Sequence, residues 1–157
     1  MVIHSTLFTA VMSNSKEPVV PEGSSRILIV EDDPELTGVL RDFLSAHGLA
    51  VSCVGNGVDG LRSVMEHEFD AVICDMLMPE MPGDMFYLAV KQVKPELVGR
   101  FVFVTAHSES PRVREFLAEI PEQVLRKPFH LQDLQTTLDG LLANRGEPRN
   151  VVPWKSE

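Results

Sequence analysis

The stretch ILIVEDDPEL, from Ile27 to Leu36, passes from a short apolar run directly into three acids and a proline. A β-branched run bounded by turn-forming residues reads as a buried strand. The residues behind it read as a helix start, with Asp33 as cap and Pro34 at the first helical position. The same transition recurs further along. Ala71-Val72-Ile73-Cys74 runs into Asp75, Phe101-Val102-Phe103-Val104 into Thr105, and Val124-Leu125-Arg126 into Lys127-Pro128. If these strands are parallel, their carboxyl ends share one edge of a sheet. Carboxylates, a hydroxyl and an ammonium then converge on one pocket, a set able to hold a divalent cation and receive a phosphoryl group.

The segments between the strands carry helical periodicity. Leu36, Val39, Leu40, Phe43 and Leu44 form one apolar face, which His47-Gly48 ends. A second strand follows over Leu49 to Val54. Asn56 then starts a helix bearing Val58, Leu61, Val64 and Met65. After the turn Met78-Pro79-Glu80-Met81-Pro82-Gly83, a helix presents Met85, Phe86, Ala89, Val90 and Val93. Ser110-Pro111 opens a short helix with Val113, Phe116, Leu117 and Ile120, and the last helix carries Leu131, Leu134, Leu138, Leu141 and Leu142. Five strands alternating with five helices predict an α/β fold, a parallel sheet covered on both faces. Such sheets bind ligands beyond the strand carboxyl ends, where the strand order reverses. That rule independently selects the edge where the acids lie.

At 157 residues the chain suits one domain with extensions. The expected division is a flexible extension over 1–24, a domain over 25–145 and a flexible tail over 146–157. Ser13 to Ser25 is polar and proline-bearing, so Met12 is a second candidate start. Trp154 reads as a stray exposed aromatic in the tail. A net charge of −9 without a Lys/Arg cluster argues against a nucleic-acid surface. No stretch reaches the ~18 apolar residues of a membrane span, and no secretory pattern opens the chain, so cytoplasmic residence is expected. Cys53 and Cys74, each inside a strand, read as buried reduced thiols.

Asp75 is the chemical centre. An ionised carboxylate attacks phosphorus without needing a general base, giving an acyl phosphate. Glu31 and Asp32 beside it, with Asp33 as a third candidate, would repel it. A magnesium ion, which prefers oxygen ligands, relieves that repulsion. Lys127 supplies positive charge to a phosphoryl oxygen and Thr105 a hydroxyl donor. Taken singly each motif has a bland reading: acids at a helix start, a Lys-Pro-Phe turn, an isolated threonine. Their joint placement at four strand ends carries the argument. His4, His47, His67 and His130 lack ligand spacing. Met76, Met78, Met81 and Met85 read as filling the interface around the site.

With ILIVEDDPEL, NGVDGL at Asn56 to Leu61, DMLMPEMPG at Asp75 to Gly83, VTA at Val104 to Ala106 and KPF at Lys127 to Phe129, the chain from about Arg26 to Asn144 resembles the receiver domain of bacterial two-component response regulators. The resemblance implies a flavodoxin-like doubly wound (βα)5 fold with strand order 2-1-3-4-5. It implies Asp75 as phosphoacceptor, Asp32 as direct ligand of Mg2+ (or Mn2+), Glu31 as ligand through water, and the Leu77 carbonyl as a further ligand. A cis peptide before Pro128 is also implied. The expected donor is a phosphohistidine on a sensor histidine kinase or histidine phosphotransfer protein. Phosphorylation would draw Thr105 toward Asp75 and shift the face of the fourth helix, fifth strand and fifth helix toward an unknown downstream protein.

Four positions tune that expectation. Val124 stands where the family often has an aromatic switch, and cannot make its in-to-out swing. Leu77 and His107 occupy positions that tune loss of the phosphoryl group, and Ala106 is a further modulating position. A stand-alone phosphoacceptor without a separate catalytic output domain is the expected type, and a homodimer stays open. An aspartyl-phosphate phosphatase is disfavoured because Leu77 replaces the second acid it needs. A nucleotide-binding protein would need a glycine-rich loop after the first strand. A receiver-like scaffold that is never phosphorylated is the remaining alternative.

Overall fold

The structure is a computed structural model that describes residues 21–106 and 110–144. The strands are β1 (Arg26–Val30), β2 (Ala50–Val54), β3 (Ala71–Asp75), β4 (Phe101–Thr105) and β5 (Gln123–Arg126). The helices are α1 (Pro34–Ala46), α2 (Gly57–Glu66), α3 (Gly83–Val93), α4 (Pro111–Glu119) and α5 (Leu131–Ala143). All strand pairs are parallel, in the order β2-β1-β3-β4-β5. The order reverses between β1 and β3, whose ends carry Glu31 and Asp75.

Local chemistry explains the element ends. Asp33 caps α1, its carboxylate accepting from the N–H groups of Glu35 at 2.9 Å and Leu36 at 3.3 Å. Pro34 follows where a missing N–H costs nothing. Asn56 caps α2 through Asp59 N–H and Ser110 caps α4 through Val113 N–H. Gly48, at φ +79°, turns the chain out of α1 into β2.

The three central strands are wholly apolar and buried on both faces, apart from Arg26, Asp75 and Thr105 at their ends. On one face Leu28, Val30, Val72, Phe101 and Phe103 pack with Val64 of α2, Phe86, Tyr87 and Val90 of α3, and Val113 of α4. On the other face Ile27, Ile29, Ile73, Val102 and Val104 pack with Leu40 and Leu44 of α1 and Leu134, Leu138 and Leu141 of α5. Each fully buried side chain of this size contributes about 1.5–3 kcal/mol.

Several sequence expectations need correction. Helical periodicity places Val39, Val58, Met65, Met85 and Val93 on core faces, but they are exposed. Each sits on the flank of its helix, where periodicity alone does not separate core from solvent. Tyr87, assigned to no face, is buried instead. Met76 and Met78 fill the interface as expected, whereas Met85 does not. Cys53 is only half-buried because β2 is an edge strand. A 3-10 turn over Pro95–Leu97 precedes β4, and β5 stops at Arg126, one residue short of Lys127. Residues 21–25, expected to be part of the polar leader, form a turn closed by Ser24 N–H on the Pro21 carbonyl. His107, Met12, Trp154 and most of the expected extension and tail lie outside the described residues.

Candidate phosphoacceptor and metal site

Two neighbouring strands deliver the acids. Ile29 of β1 pairs with Ile73 of β3 and Val30 with Cys74, so Glu31 and Asp75 follow side by side. Glu31 is 3% exposed and Asp75 6%, while Asp32 faces solvent. Carboxylate oxygens of Glu31, Asp32 and Asp75 all lie within 4.8 Å of one another. Asp33 does not join them. Its carboxylate is committed to capping α1, and its N–H donates to Glu31 Oε1 at 3.0 Å.

From the far side of the sheet comes the cation. The Lys127 N–H donates to the Thr105 carbonyl at 2.7 Å, which carries the β4–β5 pairing one residue beyond the strand. Its Nζ then reaches Glu31 Oε2 at 3.1 Å and Asp75 Oδ2 at 3.2 Å. The Lys127-Pro128 peptide is cis. Thr105 closes β4, fully buried, directly after Val104, the register partner of Asp75. Val124 pairs with Phe103 and packs half-buried against the α2–α4 face of the core. Ala106 is half-buried beside Thr105.

The electrostatics follow from this crowding. Burial pushes the Glu31 carboxyl up to about 7; the nearby Asp75 adds to the rise, while the Asp33 N–H and Lys127 oppose it. Burial works against the Lys127 charge, but Glu31 and Asp75 more than compensate and hold it above the ordinary lysine value. Burial first, then the charges of Asp75, Glu31 and Asp84, keep the Cys74 thiol protonated and inert. Three carboxylates facing one ammonium form a hard-oxygen set with surplus negative charge. That donor set fits a small divalent cation.

The loop after β3 shapes the opposite wall. Leu77 N–H donates to Asp75 Oδ1 at 3.1 Å, and Leu77 is 53% exposed. Glu80 takes φ +66° inside a γ-turn closed by Met81 N–H on the Pro79 carbonyl at 2.8 Å. Gly57 lets the Met81 backbone approach the start of α2: a Cβ there would stand 2.6 Å from the Met81 oxygen. Gly83 lies against the Asp75 backbone itself. A Cβ on it would collide with the Asp75 carbonyl oxygen and stand 2.9 Å from Met76 Cα. Sequence reasoning quoted Gly83 within a motif but missed this contact. It also missed Asp84, a buried acid in the first turn of α3 that pairs with Arg112 of α4.

A family model of the response regulator receiver domain matches residues 27–139. The receiver protein CpdR of Brucella abortus is 30% identical over 117 residues, 74% of this chain and 96% of that protein. The sensor kinase CckA of the same organism is 33% identical over 124 residues, 76% of this chain but 13% of the kinase. The chain likewise spans only 28% of LuxO of Vibrio cholerae, so several of these curated relatives are far longer than the matched stretch. Among solved structures, a signal receiver domain of a histidine kinase from Syntrophus aciditrophicus has a TM-score of 0.71 at 27% identity, covering 83% of this chain and 98% of that one. The receiver domain of the Pseudomonas aeruginosa sensor kinase PA1611, with magnesium coordinated in its active-site cleft, has a TM-score of 0.68 at 25% identity, over 76% and 98%. Among the described residues, no helix is long and apolar enough to cross a membrane.

Proposed function

This chain belongs to the response-regulator receiver family, and from that premise we propose that Asp75 is its phosphoacceptor, charged by a phosphohistidine on a sensor histidine kinase or histidine phosphotransfer protein. The observation that carries the reading is a single one. A nearly buried strand-end carboxylate lies within 4.8 Å of two further acids and holds its other flank against a lysine ammonium. A salt bridge alone would need one acid. Three acids with one exposed member, Asp32, suit a cation reached from solvent.

Glu31, Asp32, Asp75 and the Leu77 carbonyl are the groups that would hold Mg2+ or Mn2+. When bound, the ion offsets the surplus negative charge of the cluster and of an incoming phosphoryl group. The transfer forms a bond from an Asp75 carboxylate oxygen to phosphorus as the phosphorus–nitrogen bond to the donor imidazole breaks. The electron pair of that bond returns to the imidazole nitrogen. Lys127 already touches Asp75 and carries a firmly held charge, so it stabilises a phosphoryl oxygen without prior rearrangement. Thr105 offers its hydroxyl to another oxygen. The match to a sensor kinase supports a histidine-kinase donor.

The test is mass spectrometry after incubation with acetyl phosphate and Mg2+. Wild type gains one phosphoryl group that hydroxylamine removes, and Asp75→Ala gains none. No adduct on wild type would favour the scaffold alternative. Catalytic turnover of simple phosphate esters would favour the phosphatase.

A further inference from the structure

The helix α3 is apolar on the side turned to solvent as well as on the side turned to the sheet. Phe86, Tyr87 and Val90 are buried in the core. Met85, Leu88 and Val93 of the same helix are exposed, Leu88 by 53%. Ala89 falls among them by helical spacing. The charged residues of α3 do not cover this side. Asp84 is buried and paired with Arg112 of α4, and Lys91 is half-buried. A helix that is apolar all round belongs in an interior.

Neighbouring helices leave that side open. Asp84 with Arg112, and the Tyr87 ring against Phe116, place α4 along one flank of α3. On the other flank, Gly60 of α2 lies against the Phe86 ring. The exposed apolar surface continues onto α2 with Val58 and Met65, two turns apart. Both flanking helices also carry exposed charges of both signs, Arg62 and Glu66 on α2 and Arg112 and Glu115 on α4. An apolar centre bordered by charged residues is the anatomy of an interface.

We propose that the α2–α3 surface is the contact between two copies of this chain, related by a twofold axis with their α3 helices antiparallel. Shape, size and charge all select a second copy. An apolar layer two helices wide is completed by another such layer, as in a four-helix bundle. Turned end for end about the Leu88–Ala89 step, each Leu88 falls over the other copy's Ala89, large on small, and the axis repeats the match. The antiparallel α3 dipoles attract. Flanks of mixed sign let a reversed copy pair its charges, whereas a strongly acidic or basic partner would meet repulsion from half of them. None of these residues belongs to the acid cluster, so the contact stands independently of Asp75 as acceptor.

Sedimentation equilibrium of the full chain at rising concentration tests this. Wild type is expected to show a monomer–dimer equilibrium in the micromolar range. Leu88→Glu weakens it about thirtyfold, the scale of a central interface residue, and Leu88→Lys does the same. Leu88 is exposed, so both variants keep the core. An equimolar mixture of the two variants recovers the dimer, because position 88 of each copy lies beside the axis. Val39→Glu provides the control: Val39 is 51% exposed on α1, across the sheet, and its variant dimerises as wild type does. Wild type that stays monomeric up to ~1 mM overturns the proposal and leaves the surface to a different partner. A dimer that survives Leu88→Glu, or that Val39→Glu dissociates, also overturns it by placing the contact elsewhere. A mixture that stays monomeric overturns the twofold arrangement.

Discussion

Gly83 illustrates how a single missing side chain can position a reactive group. The chain folds back through the β3–α3 loop until Gly83 lies on the carbonyl of Asp75, and the nearest atoms to an added Cβ are backbone. Backbone cannot rotate away as a flexible side chain can, so Gly83→Ala is expected to cost about 2–3 kcal/mol. Gly140 provides the internal contrast. It sits in α5 with nothing within 4 Å of an added Cβ, and Gly140→Ala is expected to stabilise by up to about 1 kcal/mol through helix propensity. Urea midpoints read both. Equal shifts in the two variants would contradict the claim that Gly83 is required by contact rather than by flexibility. The convergence of Glu31, Asp32, Asp75 and Lys127 was legible at this scale because each follows an apolar run. The contact between Gly83 and Asp75 was not, since no local pattern records that a loop returns to its own starting strand.

The elements show the same division between local and returning signals. Caps and strand ends were readable: Asp33, Asn56 and Ser110 all cap the helices they precede. Helix flanks were not, because a residue such as Met85 or Val93 fits an apolar stripe whether or not a neighbouring helix covers it. Tyr87 of α3 is the opposite failure, a polar-tipped residue whose ring lies against Phe101, Phe103 and Phe116. Its hydroxyl donates to Glu122 Oε1 at 3.0 Å, and Glu122 also accepts from the N–H groups of Gly99 and Phe101. Burial raises the Tyr87 phenol well above its ordinary value, and the Glu122 charge raises it further, so it remains a donor. This buried acid thereby binds α3, the start of β4 and the entry to β5 together. Tyr87→Phe keeps the ring contacts and removes one donor to a buried carboxylate. It is expected to cost about 1.5–2 kcal/mol, measured as a drop in thermal midpoint with unchanged circular dichroism. No drop would mean that the ring, and not the hydroxyl, secures this end of the sheet.

At the scale of the whole molecule, the site is a charge imbalance built into an otherwise well-packed sheet. Three carboxylates face one ammonium at the sheet edge, in a chain whose net charge is already −9. The native state therefore carries repulsion that the unfolded chain, with its acids dispersed, does not. A cation bound only by the folded site removes that repulsion, and its binding free energy adds to stability by mass action. At one hundred times its dissociation constant the gain is about 2.7 kcal/mol. Any salt also screens a chain of this charge, so the comparison must be made at fixed ionic strength. The thermal midpoint of wild type in MgCl2 is expected to exceed that in NaCl of matched ionic strength. Asp32→Asn should abolish most of the difference: Asp32 is the exposed member of the cluster, so its loss removes a ligand without opening the core. The NaCl response should persist in the variant, because screening acts on the whole surface. If wild type and Asp32→Asn respond to MgCl2 alike, the three acids are not a metal site, and Lys127 alone balances Glu31 and Asp75.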